Sequence, residues 1–80
     1  MFYVYIIRSK TWPDRTYVGY TEDLNQRLAT HNQGGSPHTA KFVPWQVIFY
    51  CAFLAKAKAL AFEHYLKSHS GKAFASKRLL

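Results

Sequence analysis

The stretch that most constrains this chain covers residues 17–31, Tyr-Val-Gly-Tyr-Thr-Glu-Asp-Leu-Asn-Gln-Arg-Leu-Ala-Thr-His, where a strand runs directly into a helix. Alternation along the strand sets Tyr17 and Gly19 on one face and Val18 and Tyr20 on the other. A glycine inside a strand marks a bend or a close backbone approach. Thr21 is a good helix N-cap, and Glu22 and Asp23 suit the positive end of a helix dipole. The helix is expected to run to about Asn32 and stop at Gln33-Gly34-Gly35. On a wheel of about 100° per residue with Leu24 at the origin, Leu28 falls near +40°, His31 near −20° and Arg27 near −60°. His31 therefore lies within the apolar stripe and Arg27 borders it. The plain alternatives are a hydrogen-bonded core histidine and a surface pair of Arg27 with Asp23 one turn back.

The rest of the chain supplies partners for this unit. Residues 2–8, Phe-Tyr-Val-Tyr-Ile-Ile-Arg, read as a strand with both faces covered. Pro13-Asp14 is turn chemistry, so this strand and the one at residues 15–20 form an antiparallel hairpin. Residues 34–44 form a loop with Gly-Gly-Ser-Pro, His38, Thr39 and Lys41, which lacks the spacing of a phosphate-binding P-loop. Residues 45–53 are a third strand whose long apolar run predicts burial on both faces. From about Ala55 to His69 the period becomes helical, and Ala55, Ala59, Phe62 and Leu66 mark the buried stripe. Glu63 falls near +40° from Ala59 on the same wheel, at the edge of that stripe. It is either one half of an i,i+4 ion pair with Lys67 or a lone carboxylate placed to bind a hard cation. Gly71 is expected to end this helix, and the basic tail after it has the makings of one more short helix. The order is β-β-α-β-α, an α+β fold in which helices flank a three-stranded sheet.

Length and charge narrow the function. Eighty residues make one domain, residues 1–80, that removes about 60–65% of its unfolded surface from water. The single cysteine, Cys51, forms no internal disulfide, and four histidines without cysteine pairs give no zinc-finger spacing. No apolar run approaches the roughly 20 residues of a membrane helix. The chain opens in a strand-like segment, so no signal peptide is expected, and the expected compartment is cytoplasmic. Eleven Lys and Arg against four Asp and Glu give a net charge of +7, which points to a polyanionic partner, most often nucleic acid.

Taken together, these residues resemble the GIY-YIG nuclease domain. Tyr3-Val4-Tyr5 stands at the family's Gly-Ile-Tyr and Tyr17-Val18-Gly19 at its Tyr-Ile-Gly. Arg27 follows Gly19 by eight residues, with His31 one turn later, and Glu63 lies in the second helix where the family keeps a metal-binding glutamate. The small stand-alone bacterial members share the pattern most fully, through Asp23-Leu24-x-x-Arg27-Leu28-x-x-His31-Asn32 and Glu63-x-x-Leu66-Lys67. Each tripeptide alone is a weak signal, and the ordered set is a strong one.

The resemblance implies a three-stranded antiparallel sheet between helices and hydrolysis of phosphodiester bonds with one divalent ion, Mg²⁺ or Mn²⁺, held by Glu63. It implies that Arg27 contacts the phosphate and that Tyr17 is the first candidate to orient or deprotonate the attacking water. Tyr5 is then the second tyrosine, and His31 accepts a proton from either; the sequence leaves the base open. Lys41, Lys67, Lys72, Lys77 and Arg78 are expected to make nonspecific phosphate contacts. The implied partner is nucleic acid, DNA foremost, with a protein partner supplying target choice. Two departures stand out. Tyr3 replaces the motif's first glycine, and Ala75 stands where many members place an asparagine about 12 residues past the glutamate. The alternative from a different class is a noncatalytic nucleic-acid-binding module with the same fold.

Overall fold

In the computed structural model, which describes residues 1–80, the central element is β1 (Phe2–Ser9). Its run of aromatic and β-branched residues suits a strand covered on both sides. It pairs antiparallel with β2 (Thr16–Thr21) and with β3 (Trp45–Phe53), giving the order β2-β1-β3. Alternate side chains of β1 go to opposite faces. Val4 and Ile6 pack with Ala59, Leu66 and Ala75, whereas Tyr5 and Ile7 pack with Trp45 and half-buried Tyr17, Leu24 and Leu28. Helix α1 (Leu24–Asn32) covers the second face, and α2 (Lys56–Lys67) with α3 (His69–Arg78) covers the first. The expected α+β fold is present, with α3 and a 3₁₀ turn at Ala40–Phe42 added to the β-β-α-β-α order.

Three local expectations are corrected. Asp23, not Thr21, caps α1. Thr21 stays in the ladder opposite Tyr3, and the Asp23 carboxylate accepts from Gln26 N at 3.0 Å. Asp23 and Arg27 form no ion pair, so the plain alternative for Arg27 does not hold. Gly71 does not end α2, which stops at Lys67; Ser68 follows and caps α3 by accepting from Gly71 N at 3.1 Å. Gly71 is needed because a Cβ there would collide with the Tyr65 carbonyl, so its role is close packing of two helices. Finally, β3 is not buried on both faces, since Tyr50 is 56% exposed. Being an edge strand opposite a helix of nine residues, it outruns its cover.

Candidate active site

The site begins with a glycine. Gly19 on β2 lies directly opposite Tyr5 on β1, and a Cβ at Gly19 would overlap the Tyr5 phenol. The missing side chain lets the Tyr5 ring lie across β2, with its hydroxyl aimed under α1. There it meets His31 Nε2 at 2.8 Å and accepts from Arg27 Nε at 3.3 Å. The Tyr17 ring packs edge-on against His31, with centroids 5.3 Å apart. Four of the residues singled out in the sequence therefore converge on one face of the sheet: Tyr5, Tyr17, Arg27 and His31.

His31 is fully buried, and its other ring nitrogen, Nδ1, lies 2.7 Å from Thr39 Oγ1. The Thr39 hydroxyl donates to the Ser36 carbonyl at 3.4 Å. Counting donors then orders the chain of bonds. Thr39 oxygen accepts from His31 Nδ1, His31 Nε2 accepts from the Tyr5 hydroxyl, and Tyr5 oxygen accepts from Arg27. This tautomer is inferred from the network. Thr39 is held in turn by the Trp45 indole, which donates to its carbonyl at 2.9 Å. Asn32 anchors Trp45 by bonding both its backbone groups. Thr39 and Ser36 escaped the sequence reading because they sit in a loop with no periodicity, and nothing in their spacing sets them apart.

The electrostatics follow from burial beside a cation. Burial pushes the Tyr5 hydroxyl above its ordinary value, outweighing the downward pull of Arg27. Hydrogen bonding to Tyr5 holds the Arg27 guanidinium more firmly charged, against the opposing effect of its own burial. Burial first, and the Arg27 charge second, lower His31 and keep its ring neutral. A neutral imidazole with a free lone pair toward a phenol is a proton acceptor, and an adjacent guanidinium favours whatever negative charge appears on that phenol.

Glu63 stands on α2 in the opposite layer, and after burial its charge is a minor further cause raising the Tyr5 hydroxyl. Its carboxylate accepts from Lys67 Nζ at 3.1 Å, with the Glu63 side chain 21% exposed. Lys67 Nζ also stands 5.6 Å from the Tyr17 ring centroid, so the pair faces the β2 edge where Tyr17 emerges. A cleft of about 480 Å³ runs along that edge, lined by Tyr17, Leu66, Lys67 and Lys72 among others. Lys41, Lys77 and Arg78 are exposed and have no ion pair with the cluster. Ala75 is packed into the core beside Leu66 and has no polar atom to offer a ligand. The larger groove, about 770 Å³ between α1 and β3, contains none of the candidate catalytic residues.

Residues 1–78 match the GIY-YIG catalytic domain. The chain belongs to the GIY-YIG family. Among its relatives is UPF0213 protein YazA of Bacillus subtilis, 38% identical over 72 residues, which cover 89% of this chain and 69% of the relative. A structure-specific endonuclease subunit SLX1 homolog of Giardia intestinalis is 35% identical over 66 residues, 78% of this chain but 18% of that protein. The solution structure of UPF0213 protein BH0048 from Bacillus halodurans superposes with a TM-score of 0.57 at 31% identity, covering 99% of this chain and 87% of that one. This GIY-YIG chain thus shares its fold and most of its length with small single-domain proteins, and its domain with a nuclease.

Proposed function

We propose that this protein is a divalent-metal-dependent endonuclease that hydrolyses DNA phosphodiester bonds. The observation that carries the reading is the convergence of Tyr5, Tyr17, Arg27 and His31 on one face, with Glu63 joined to them through Lys67, which pairs with its carboxylate and stands beside the Tyr17 ring. Arg27, oriented by Tyr5, binds the scissile phosphate and stabilises the charge that grows on it. Tyr5 is buried with its hydroxyl between His31 and Arg27, so it orients Arg27 and has in His31 an acceptor for its own proton. Tyr17 lines the open side and orients the incoming water. Lys67 and Lys72 flank the cleft and draw the backbone in. Lys41, Lys77 and Arg78 add a nonspecific field around it.

The donor set fits a hard ion. No cluster of three or more His, Cys, Asp or Glu is present, and Glu63 is the carboxylate assigned to the ion. Mg²⁺ and Mn²⁺ accept such a set, because they keep several waters and take substrate oxygens as ligands. Glu63 already attracts a cation, the Lys67 ammonium. When bound, the ion supplies Lewis-acid polarisation of the phosphate and stabilises the leaving oxygen.

The relative named as a structure-specific endonuclease subunit supports a nucleic acid of particular structure as the substrate; branched or damaged DNA, as met in repair, is the form of that substrate proposed for this chain. That it is named a subunit supports a protein partner that supplies target choice. No helix is long and apolar enough to cross a membrane, and a basic domain acting on nucleic acid suits the cytoplasm. The second reading, a noncatalytic binding module, is favoured by Ala75, which packs in the core where many members carry an asparagine.

The deciding experiment compares wild type with Glu63→Ala on duplex, single-stranded and branched DNA and on RNA, with Mg²⁺ or Mn²⁺. Wild type cuts and the variant loses at least a hundredfold, the scale of one lost charge-stabilising group. Equal residual cutting by both leaves the binding module standing.

A further inference from the structure

We propose that Lys67 is a built-in counter-cation that competes with the divalent ion for Glu63 and thereby couples metal binding to phosphate binding. The inference rests on the reading of Glu63 as the metal ligand and goes beyond it to how the ion is admitted.

An i,i+4 glutamate–lysine pair on a helix is ordinarily a solvated surface feature of little consequence. This one differs in three respects. The Glu63 side chain is 21% exposed, so it is half-buried rather than fully solvated. The Lys67 ammonium lies within cation–π range of Tyr17, 5.6 Å from the ring centroid, so it is held beside that ring. Lys67 also lines the cleft beside β2 with Lys72, where a phosphate backbone would lie. The ammonium therefore stands between the carboxylate, the tyrosine and the substrate channel.

A monovalent and a divalent cation on one carboxylate repel each other strongly at this range. An ion binding Glu63 must displace Lys67. A lysine head on a flexible four-carbon stem has three donors and needs a new anion, and the nearest one on offer is the incoming phosphate. The converse also holds: a phosphate that draws Lys67 away leaves Glu63 free for the ion. Reciprocity between two sites requires that each ligand raise the affinity of the other by the same factor. Ion and strand load together, and the resting protein holds its own cation in place of a metal. Lys72 has no acidic partner and attracts the backbone without taking part in the exchange.

The test counts bound Mn²⁺ by electron paramagnetic resonance, which needs no turnover, with and without a phosphorothioate duplex that resists hydrolysis. Wild type is compared with Lys67→Gln and Lys67→Arg, and the Mn²⁺ held by Glu63→Gln under the same conditions is the baseline. Melting curves verify folding, which a lysine 48% exposed is not expected to disturb. Without DNA, Lys67→Gln binds Mn²⁺ about fivefold or more tighter than wild type, at the lower end of typical coupling factors. The duplex raises wild-type affinity by more than it raises that of Lys67→Gln, and Lys67→Arg behaves as wild type. Equal Mn²⁺ affinity in wild type and Lys67→Gln, with binding still lost in Glu63→Gln, overturns the competition and leaves the metal-site reading intact. Wild-type binding no better than the Glu63→Gln baseline overturns that reading and the competition with it.

Discussion

The two faces of β1 were built from one alternating strand and serve opposite ends. Toward α2 and α3, Val4 and Ile6 meet Ala59, Leu66 and Ala75, an interior without polar atoms in its side chains. Toward α1, Tyr5 meets His31, Arg27 and, through His31, Thr39, an interior wired by hydrogen bonds. The apolar face contributes stability by removing area from water. The polar face must satisfy each buried donor and acceptor before it contributes anything, because an unpaired buried group is costly. The division teaches that a small domain can hold a reactive cluster in its interior when the opposite side of the same strand supplies an ordinary core.

Three substitutions and titrations bear on that contrast, in falling order of effect. Leu66→Ala removes a fully buried side chain from the apolar face and should cost about 2–5 kcal/mol in chemical denaturation. Cleavage per folded molecule should fall less than in Gly19→Ala, since Leu66 lines the cleft but makes no hydrogen bond to Tyr5, Arg27 or His31. Gly19→Ala adds a Cβ where the Tyr5 phenol lies and should cost about 1–3 kcal/mol by overpacking. Its cleavage rate should fall far more than its folded fraction, because the Tyr5 hydroxyl must leave His31 and Arg27. A proportional fall of both would show that the polar face is packing and nothing more.

The smallest effect is in pH. Burial and Arg27 lower His31 below its ordinary 6.5, so the folded protein holds the ring neutral while the unfolded chain takes up a proton near that value. Stability from this group is therefore complete above about pH 6.5 and declines as pH falls below it. Melting temperature measured from pH 8 to pH 5 should drop on the acid side in wild type. The drop should be shallower in His31→Gln, and equal slopes would remove His31 as the group responsible.

Much of this arrangement was legible in the residues alone. The helical wheel put His31 in the apolar stripe, and it is fully buried. The reading of Gly19 as a close approach holds, and the approaching group is the Tyr5 ring. What misled the reading had physical causes. Thr21 and Asp23 are both good caps, and only the pairing of Thr21 with Tyr3 decides between them. Gly71 looks like a helix stop in one dimension and is a contact between two helices in three. Thr39 was invisible because a loop residue gains its partner only through tertiary folding. Spacing along α2 allowed both an ion pair and a cation site for Glu63, and the fold places the ion pair beside the candidate site.

Tyr5 rides on the strand paired along both margins, whereas Lys67 hangs from a helix at the rim. Amides in such a central strand exchange with solvent only when the whole sheet opens, while a rim side chain reorients in nanoseconds or less. The phenol is consequently carried by the most persistent part of the fold, and the ammonium is free to change partners many times within its lifetime. The molecule combines a slow clock and a fast one.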